Sequence, residues 1–277
     1  IVCKLASIVR ELSVDFEKFS GLYWSNDSMK RRNHQEFIVS LWVHIQKSTG
    51  GNINKSERDS AYENESSETV QNKERQQVRD VLKIVSECCI NQDLEGKLLP
   101  NEATRFDLCM VVHYLLTNNY KITNKRKFFE WFVSSYTKIK NAVDDNGNNI
   151  ILWKDTRGLN ARDYSGVQRS YDGGHRAARL EAFVTEFSQL DEEVIIQKDS
   201  KRQYEANIRP LLWLQQDKKC ALSSREIPLE HIMNGNVTHV DHIIPHAKGG
   251  LTTVENAQLV FADENLIKSD DIPMGSL

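Results

Sequence analysis

The sequence lacks several features that would assign it to a membrane or secreted class. No apolar run approaches the roughly 18 residues of a membrane-spanning helix, so we expect no membrane association. Lys4 and Arg10 interrupt the apolar stretch at the beginning, which differs from a secretory signal. The five cysteines are scattered and include no Cys-x-x-Cys pair, which argues against a disulfide framework and favours a reducing compartment. We therefore predict a cytoplasmic protein.

The charge is nearly balanced, with 36 Lys+Arg against 39 Asp+Glu and a net charge of −3. A surface that binds nucleic acid must then be local rather than spread over the molecule. A basic stretch in the middle of the chain is interleaved with acidic residues, so a DNA-facing surface and ordinary helix and loop charges are equally supported. The stretch consists of Arg157, Arg162, Arg169, His175, Arg176 and Arg179.

Hydrophobic periodicity divides the 277 residues into two expected domains. Apolar residues recur at helical spacing through the first two thirds, which predicts a helical domain over 1–200. Within it, a polar stretch rich in Gly, Asn, Ser and Glu predicts an exposed loop at about 47–67. Domain 201–277 begins with a helix expected at about 203–216, which Pro210 should kink or restart.

The end of the chain has a different pattern, rich in β-branched residues. Segments 237–244 and 257–261 predict two strands, separated by a loop around Gly249 and Gly250, and 262–269 predicts a short helix. The expected fold class is therefore α+β, with a mostly helical region followed by a small strand, loop, strand and helix motif.

Residues suited to phosphodiester chemistry fall at fixed points of this motif. Asp241 and His242 lie in the first predicted strand, Asn256 directly precedes the second, and Asn265 lies in the helix. This ordered set resembles the HNH, or ββα-metal, nuclease family, and its spacing is similar to that in the HNH domains of RNA-guided CRISPR nucleases. The resemblance covers about 202–271 and rests on Val240-Asp241-His242-Ile243-Ile244-Pro245, Gly249-Gly250, Asn256 and Asn265-x-x-Lys268.

The resemblance implies a role for each of the four residues. His242 is the expected general base, Asp241 and Asn265 are the expected ligands of Mg²⁺ or Mn²⁺, and Asn256 is the structural residue that braces the loop. The chemistry agrees, because a neutral imidazole accepts a proton near pH 7 and oxygen ligands suit a hard divalent cation. The family's products carry 5′-phosphate and 3′-hydroxyl ends.

Three further residues are weaker candidates for contact with the substrate phosphate. They are His246, Lys248 and Lys268. The alternative for His246 and Lys248 is an ordinary surface position. A geometric condition also applies to the catalytic pair: adjacent strand residues point to opposite faces, so Asp241 and His242 converge only if the strand ends or twists there.

The sequence departs from family members that hold this motif on a zinc site of two Cys-x-x-Cys pairs. Cys220 stands alone, with Ser223 where a second cysteine is expected, so we predict no structural zinc. Hydrophobic packing should then hold the ends of the motif. The residues expected to supply it are Leu212, Trp213, Ile227 and Ile232.

The helical two thirds resemble the region preceding the HNH domain in GmrSD-type modification-dependent restriction enzymes. The resemblance rests on Met29–Phe37, Lys127–Phe132 and Arg202-Gln203-Tyr204. In that group a ParB/sulfiredoxin-like nucleotide-binding domain comes first. Its motif is absent and the chain begins at Ile1, so we expect this domain to be a missing N-terminal partner.

The sequence thus predicts a metal-dependent DNA endonuclease, in a bacterial restriction or phage-defence system. Two alternatives remain open. One is a catalytically vestigial module that binds nucleic acid and regulates, which the net charge of −3 keeps in consideration. The other is a toxin nuclease directed at RNA.

Overall fold

The computed structural model describes residues 4–47, 50–63, 68–191, 193–197 and 203–268. The chain divides into two compact units. The helical unit comprises Ile1–Thr117 and Ile122–Ile195, and the C-terminal unit comprises Asn118–Lys121 and Ile196–Leu277. The predicted α+β class is confirmed. None of the helices within the described ranges has the length and apolar character needed to cross a bilayer.

The helical unit consists mainly of α-helices packed around a hydrophobic core. Its helices are α1 (Lys4–Asp15), α2 (Glu17–Tyr23), α3 (Asn26–Lys30), α4 (Asn33–Lys47), α5 (Lys55–Glu63), α6 (Glu68–Ile90), α7 (Glu102–Thr117), α8 (Lys125–Lys140), α9 (Tyr164–Val167) and α10 (Gly173–Thr185). The central helix α7 is buried continuously from Thr104 to Val112, so its sequence shows little amphipathic pattern.

Four short strands occur among the described residues before 198. Strands β1 (Tyr120–Ile122) and β4 (Ile195–Gln197) form one two-stranded sheet, and β2 (Ile151–Lys154) pairs antiparallel with β3 (Ala161–Asp163). A turn over 144–148 lies just before β2 and is closed by Asp144, whose Oδ1 accepts from the backbone N–H groups of Asn146 and Asn148.

The predicted exposed loop at about 47–67 is wrong in its centre, because α5 occupies Lys55–Glu63. Asn54 caps this helix, with its Oδ1 accepting from the backbone N–H of Glu57 at 3.1 Å. Ile53, directly before the cap, is fully buried and anchors the segment. Helix α5 buries none of its own residues, which explains why hydrophobic periodicity gave no helical signal. Residues 48–49 and 64–67 lie outside the described residues.

Neither alternative for the basic stretch, a DNA-facing surface or ordinary surface charges, holds for Arg176 and Arg179, which are 0% and 2% exposed. Arg179 Nε lies 2.8 Å from Asp107 Oδ1 in a buried ion pair, and Tyr164 Oη donates to the other oxygen of the same carboxylate. Arg176 donates to the backbone carbonyl of Gly51. These two arginines therefore stabilise the core of the helical unit.

The remaining cations of that stretch are more accessible. Arg157, Arg162 and Arg169 are exposed, and His175 is half-buried, with its ring against Trp153. Of the arginines in this stretch, only Arg157, Arg162 and Arg169 have the exposure that a contact with DNA requires.

The C-terminal unit contains α11 (Arg209–Gln215), β5 (Thr238–His242), β6 (Ala257–Phe261) and α12 (Ala262–Lys268). Helix α11 begins only at Arg209, after a 3₁₀ turn. Pro210 lies in its first turn, where a proline is favoured because the backbone N–H groups have no partner within the helix. Strands β5 and β6 pair antiparallel without a bulge, with Asp241 opposite Gln258 and His242 opposite Ala257. The predicted order of strand, loop, strand and helix is therefore confirmed.

Hydrophobic packing holds this motif, as the sequence predicted. The core of the unit consists of Leu212, Cys220, Ile227, Ile232, Ala257, Leu259, Val260 and Phe261, with Trp213 packed against it. Trp213 Nε1 donates to the carbonyl of Ile227 at 2.7 Å, which ties α11 to the segment before β5. Cys220 is buried, and its thiol donates to Glu264 Oε2 at 2.8 Å.

Candidate nuclease site

His242 is the last residue of β5 and is only 8% exposed. Its Nε2 lies 3.1 Å from Thr252 Oγ1, in the loop that leads to β6. The ring of Tyr204 packs at a tilt against the imidazole, with 4.6 Å between the ring centroids. The imidazole of His242 is thus held by a ring contact and by a polar contact.

Asn256 closes the loop that follows His242. Its Oδ1 accepts from the N–H of Ile244 at 2.8 Å, and its Nδ2 donates to the carbonyls of Ile244 at 3.1 Å and Leu251 at 2.8 Å. Its backbone carbonyl accepts from the N–H of Ile243 at 2.9 Å. The sequence assigned a bracing role to this residue, and its contacts have the geometry that a brace requires.

The two glycines of the loop are needed for steric reasons. A Cβ on Gly250 would lie 2.7 Å from Asn256 Nδ2 and would overlap the carbonyl of Ile244. Gly249 has a φ of +95°, in the region that residues with a side chain rarely adopt. The pair therefore lets the backbone approach the Asn256 amide closely.

Asp241 precedes His242 and pairs across the hairpin. Its Oδ2 accepts from Gln258 Nε2 at 3.2 Å, which fixes the carboxylate on the strand. Because side chains alternate along a strand, Asp241 and His239 lie on one face and His242 on the other. Since β5 ends at His242, the imidazole lies where the sheet stops.

Helix α12 brings Asn265 to the face that carries Asp241 and His239. The Nδ2 of Asn265 lies 3.3 Å from His239 Nδ1. Among the described residues, no group of three or more His, Cys, Asp and Glu side chains is arranged to hold a metal ion. Asp241 and Asn265 would supply one carboxylate and one amide oxygen, which are donor types that suit Mg²⁺, an ion that keeps several waters and takes few protein ligands.

The three weaker candidates for phosphate contact differ in burial and in how far the structure describes them. His246 is half-buried, and its ring centroid is 5.7 Å from that of His242. Lys248 is exposed in a 3₁₀ turn of the loop. The backbone of Lys268 ends α12, but its side chain lies outside the described residues.

Sequence reasoning gave no role at the site to four residues that the structure places there. They are Tyr204, Thr252, Gln258 and His239. Gln258 follows from the strand register once Asp241 is placed. The local sequence does not reveal that Tyr204 and Thr252 contact His242, because these residues are brought close only by folding.

One comparison with known proteins bears on the motif. Residues 220–274 match the family model described as HNH endonuclease, a segment that includes Asp241, His242, Asn256 and Asn265. Comparisons with curated proteins and with solved structures returned no match. The matched segment contains the paired strands β5 and β6 as well as α12. The C-terminal part of this chain is therefore a domain of the HNH endonuclease family.

Proposed function

We propose that this chain is a metal-dependent DNA endonuclease in which His242 activates water. The observation that carries the proposal is the confined imidazole at the end of β5, where Asp241 directly precedes His242 in the strand and the Asn256 amide closes the loop that follows it. The HNH match supports a nuclease acting on nucleic acid in general. DNA as the substrate is our more specific proposal.

In this proposal, each residue has a separate chemical task. His242 takes the proton of the attacking water as the water oxygen bonds to phosphorus. The bond from phosphorus to the 3′ oxygen breaks and the leaving oxygen takes up a proton from the solvent, which leaves 5′-phosphate and 3′-hydroxyl ends. A divalent cation, Mg²⁺ or Mn²⁺, would be held by Asp241 and Asn265 and would supply charge stabilisation for the phosphate and the leaving oxygen.

The contact between Asn265 and His239 favours this ligand assignment. When Nδ2 of Asn265 donates to His239 Nδ1, at 3.3 Å, the amide oxygen is left to accept a cation. Asn256 would act through the loop rather than on the substrate. His246, Lys248 and Lys268 are proposed phosphate contacts.

The biological setting is also part of the proposal. We infer a cytoplasmic restriction or phage-defence enzyme, with a nucleotide-binding domain preceding this chain. The resemblance of the helical two thirds to GmrSD-type enzymes supports this setting. Specificity for sequence or for modified bases would then depend on the larger protein.

The test is a cleavage assay on supercoiled plasmid with Mg²⁺, Mn²⁺ or EDTA. We expect metal-dependent nicking or linearisation by the parent chain and a loss of at least about 100-fold in His242→Ala, as for removal of a general base. His231→Ala is the matched control, because His231 lies in the same unit, at the end of a 3₁₀ helix before β5, and its backbone carbonyl accepts from Thr238 rather than from one of the four proposed residues. The assay includes tRNA as a second substrate.

Each outcome decides the proposal. Equal cleavage by His242→Ala and the parent chain contradicts the role of His242. Cleavage of tRNA but not of plasmid, even with modified phage DNA, contradicts DNA as substrate. If the parent chain binds DNA, but neither it nor the full-length protein cuts unmodified or modified DNA in the presence of metal, the result indicates a vestigial regulatory module instead.

A further inference from the structure

We infer that Tyr204, which precedes the family-matched segment 220–274, is a positioning residue for the imidazole of His242. The inference rests on the proposed function for its catalytic consequence. Its structural part, that Tyr204 fixes the ring of His242, can be measured without cleavage.

The aromatic ring of Tyr204 restricts the orientation of His242. The two ring centroids are 4.6 Å apart and the planes are inclined by 46°. Thr252 Oγ1 lies 3.1 Å from Nε2 of the same imidazole. A ring contact limits rotation of the imidazole about its χ2 axis, and the polar contact at Nε2 favours one rotamer, so together they hold the base in one direction.

The hydroxyl of Tyr204 has a second task, which is to connect the ring to the loop. Its Oη donates to the backbone carbonyl of Asn256 at 3.0 Å, and the carbonyl of Leu251 lies 3.4 Å away. The Asn256 carbonyl is also the acceptor for the N–H of Ile243, directly after His242. Tyr204 therefore contacts the base through its ring and the brace of the loop through its hydroxyl.

A comparison of Tyr204 with Ile208 distinguishes positioning of His242 from ordinary core packing. Tyr204 is half-buried and packs beside the hydrophobic cluster of the C-terminal unit, as Ile208 does. Loss of packing alone would lower stability in variants of either residue. Loss of positioning would alter the His242 ring and the turnover rate only in variants of Tyr204.

The experiment compares Tyr204→Phe, Tyr204→Leu and the control Ile208→Ala in the whole chain. In metal-free protein, ¹H–¹³C spectra should show the ring protons of His242 shifted by the aromatic neighbour in the parent and in Tyr204→Phe, and moved towards ordinary values in Tyr204→Leu. In Ile208→Ala these signals should stay where they are in the parent. Tyr204→Met replaces Tyr204→Leu if the latter does not fold.

Plasmid cleavage supplies the second measurement. We expect kcat to fall by about 10- to 100-fold in Tyr204→Leu, with KM changed less than about two-fold, because the base is misplaced while DNA contacts remain. Tyr204→Phe should retain most of the parent's kcat, and Ile208→Ala should have the same kcat as the parent.

The outcomes separate this inference from the proposed function. Unchanged His242 signals in Tyr204→Leu overturn the inference whether or not the chain cuts DNA. Equal losses of kcat in Tyr204→Leu and Ile208→Ala also overturn it, in favour of plain packing. If the parent chain does not cut DNA, the proposed function fails. In that case, a shift of the His242 signals in Tyr204→Leu but not in Tyr204→Phe still supports an imidazole that is held by Tyr204.

Discussion

The side-chain amide of Asn256 pairs with both backbone groups of Ile244. Its Oδ1 accepts from the N–H at 2.8 Å, and its Nδ2 donates to the carbonyl at 3.1 Å. A side-chain amide here reproduces the pairing that a backbone peptide makes in a sheet. The β5–β6 ladder is in this way prolonged past His242, although the strands themselves end there.

Replacing Asn256 by aspartate should disrupt this pairing with almost no change of shape. The carboxylate still accepts from the N–H of Ile244, but the donors to the carbonyls of Ile244 and Leu251 are lost and repulsion between oxygens replaces them. We expect a loss of about 1–3 kcal/mol in the free energy of unfolding of the C-terminal unit, and at least a 10-fold loss of cleavage. Urea unfolding and the plasmid assay measure these effects.

The exposed Asn236 offers a matched control. Asn236→Asp introduces the same charge in the same unit and should behave as the parent chain. If Asn256→Asp and Asn236→Asp had equal stability, the contacts of Asn256 would not contribute to the fold.

Gly250 provides a steric test of the same loop. Gly250→Ala should destabilise the C-terminal unit and lower cleavage, because the added methyl group overlaps the Ile244 carbonyl and crowds Asn256 Nδ2. Gly235→Ala in the same unit should be tolerated, since the nearest atom to its new Cβ is Arg209 Nη2 at 3.6 Å. Thermal melting of both variants checks this, and similar melting temperatures would show that the loop backbone shifts without cost.

Metal removal should affect cleavage but not folding. The motif is held by a hydrophobic core that includes Leu212, Ile227 and Leu259, and the thiol of Cys220 is bonded to Glu264. We therefore expect EDTA to abolish cleavage, while the melting temperature stays within about 2 °C of its original value. A stoichiometric zinc content by elemental analysis, with a lower melting temperature after chelation, would contradict the prediction of no structural zinc.

The helical unit should lose stability in mild acid. Burial lowers the pKa of His44 well below its usual 6.5, and the nearby cation of Arg176 and the His113 ring lower it further. Below pH 6.5 the unfolded chain therefore binds more protons than the folded chain, and acid favours unfolding. Between pH 7.5 and 5.5 we expect this histidine to account for a loss of about 1 kcal/mol.

His44→Gln should remove that part of the pH dependence. Burial also lowers the pKa of His34 and His113, so a weaker dependence of the same sign should remain. Urea titrations followed by helical circular dichroism at the two pH values give the comparison. An equal decrease in the variant and the parent would exclude His44 as the source.

The ββα motif could be predicted because its signals are local. Pro245 limits the first strand, Gly249 and Gly250 mark the loop, and the chemically suited residues fall within one short segment. Helix α5 could not be predicted from hydrophobic periodicity, because it buries no residue. The sequence signal for this helix is a single capping residue, Asn54.

Long-range partners explain the other differences between prediction and structure. Arg179 looked like a surface cation because its carboxylate partner, Asp107, is 72 positions away in the sequence. The hydroxyl of Tyr204 finds its acceptor 52 positions later, at Asn256. A charge or a ring in the sequence does not reveal its burial, since burial depends on which distant segment packs over it.

The closure of the loop by Asn256 has a consequence for how the domain can diversify. The tip of this loop, residues 246–249, lies between Ile244 and Leu251, the two positions at which Asn256 fastens the loop. Lengthening a loop whose ends are already fixed adds little entropic cost. New residues grafted between His246 and Gly249 could therefore alter the contacts made with a substrate while the fastened base preserves the position of His242. The tip is the natural place to engineer altered substrate preference.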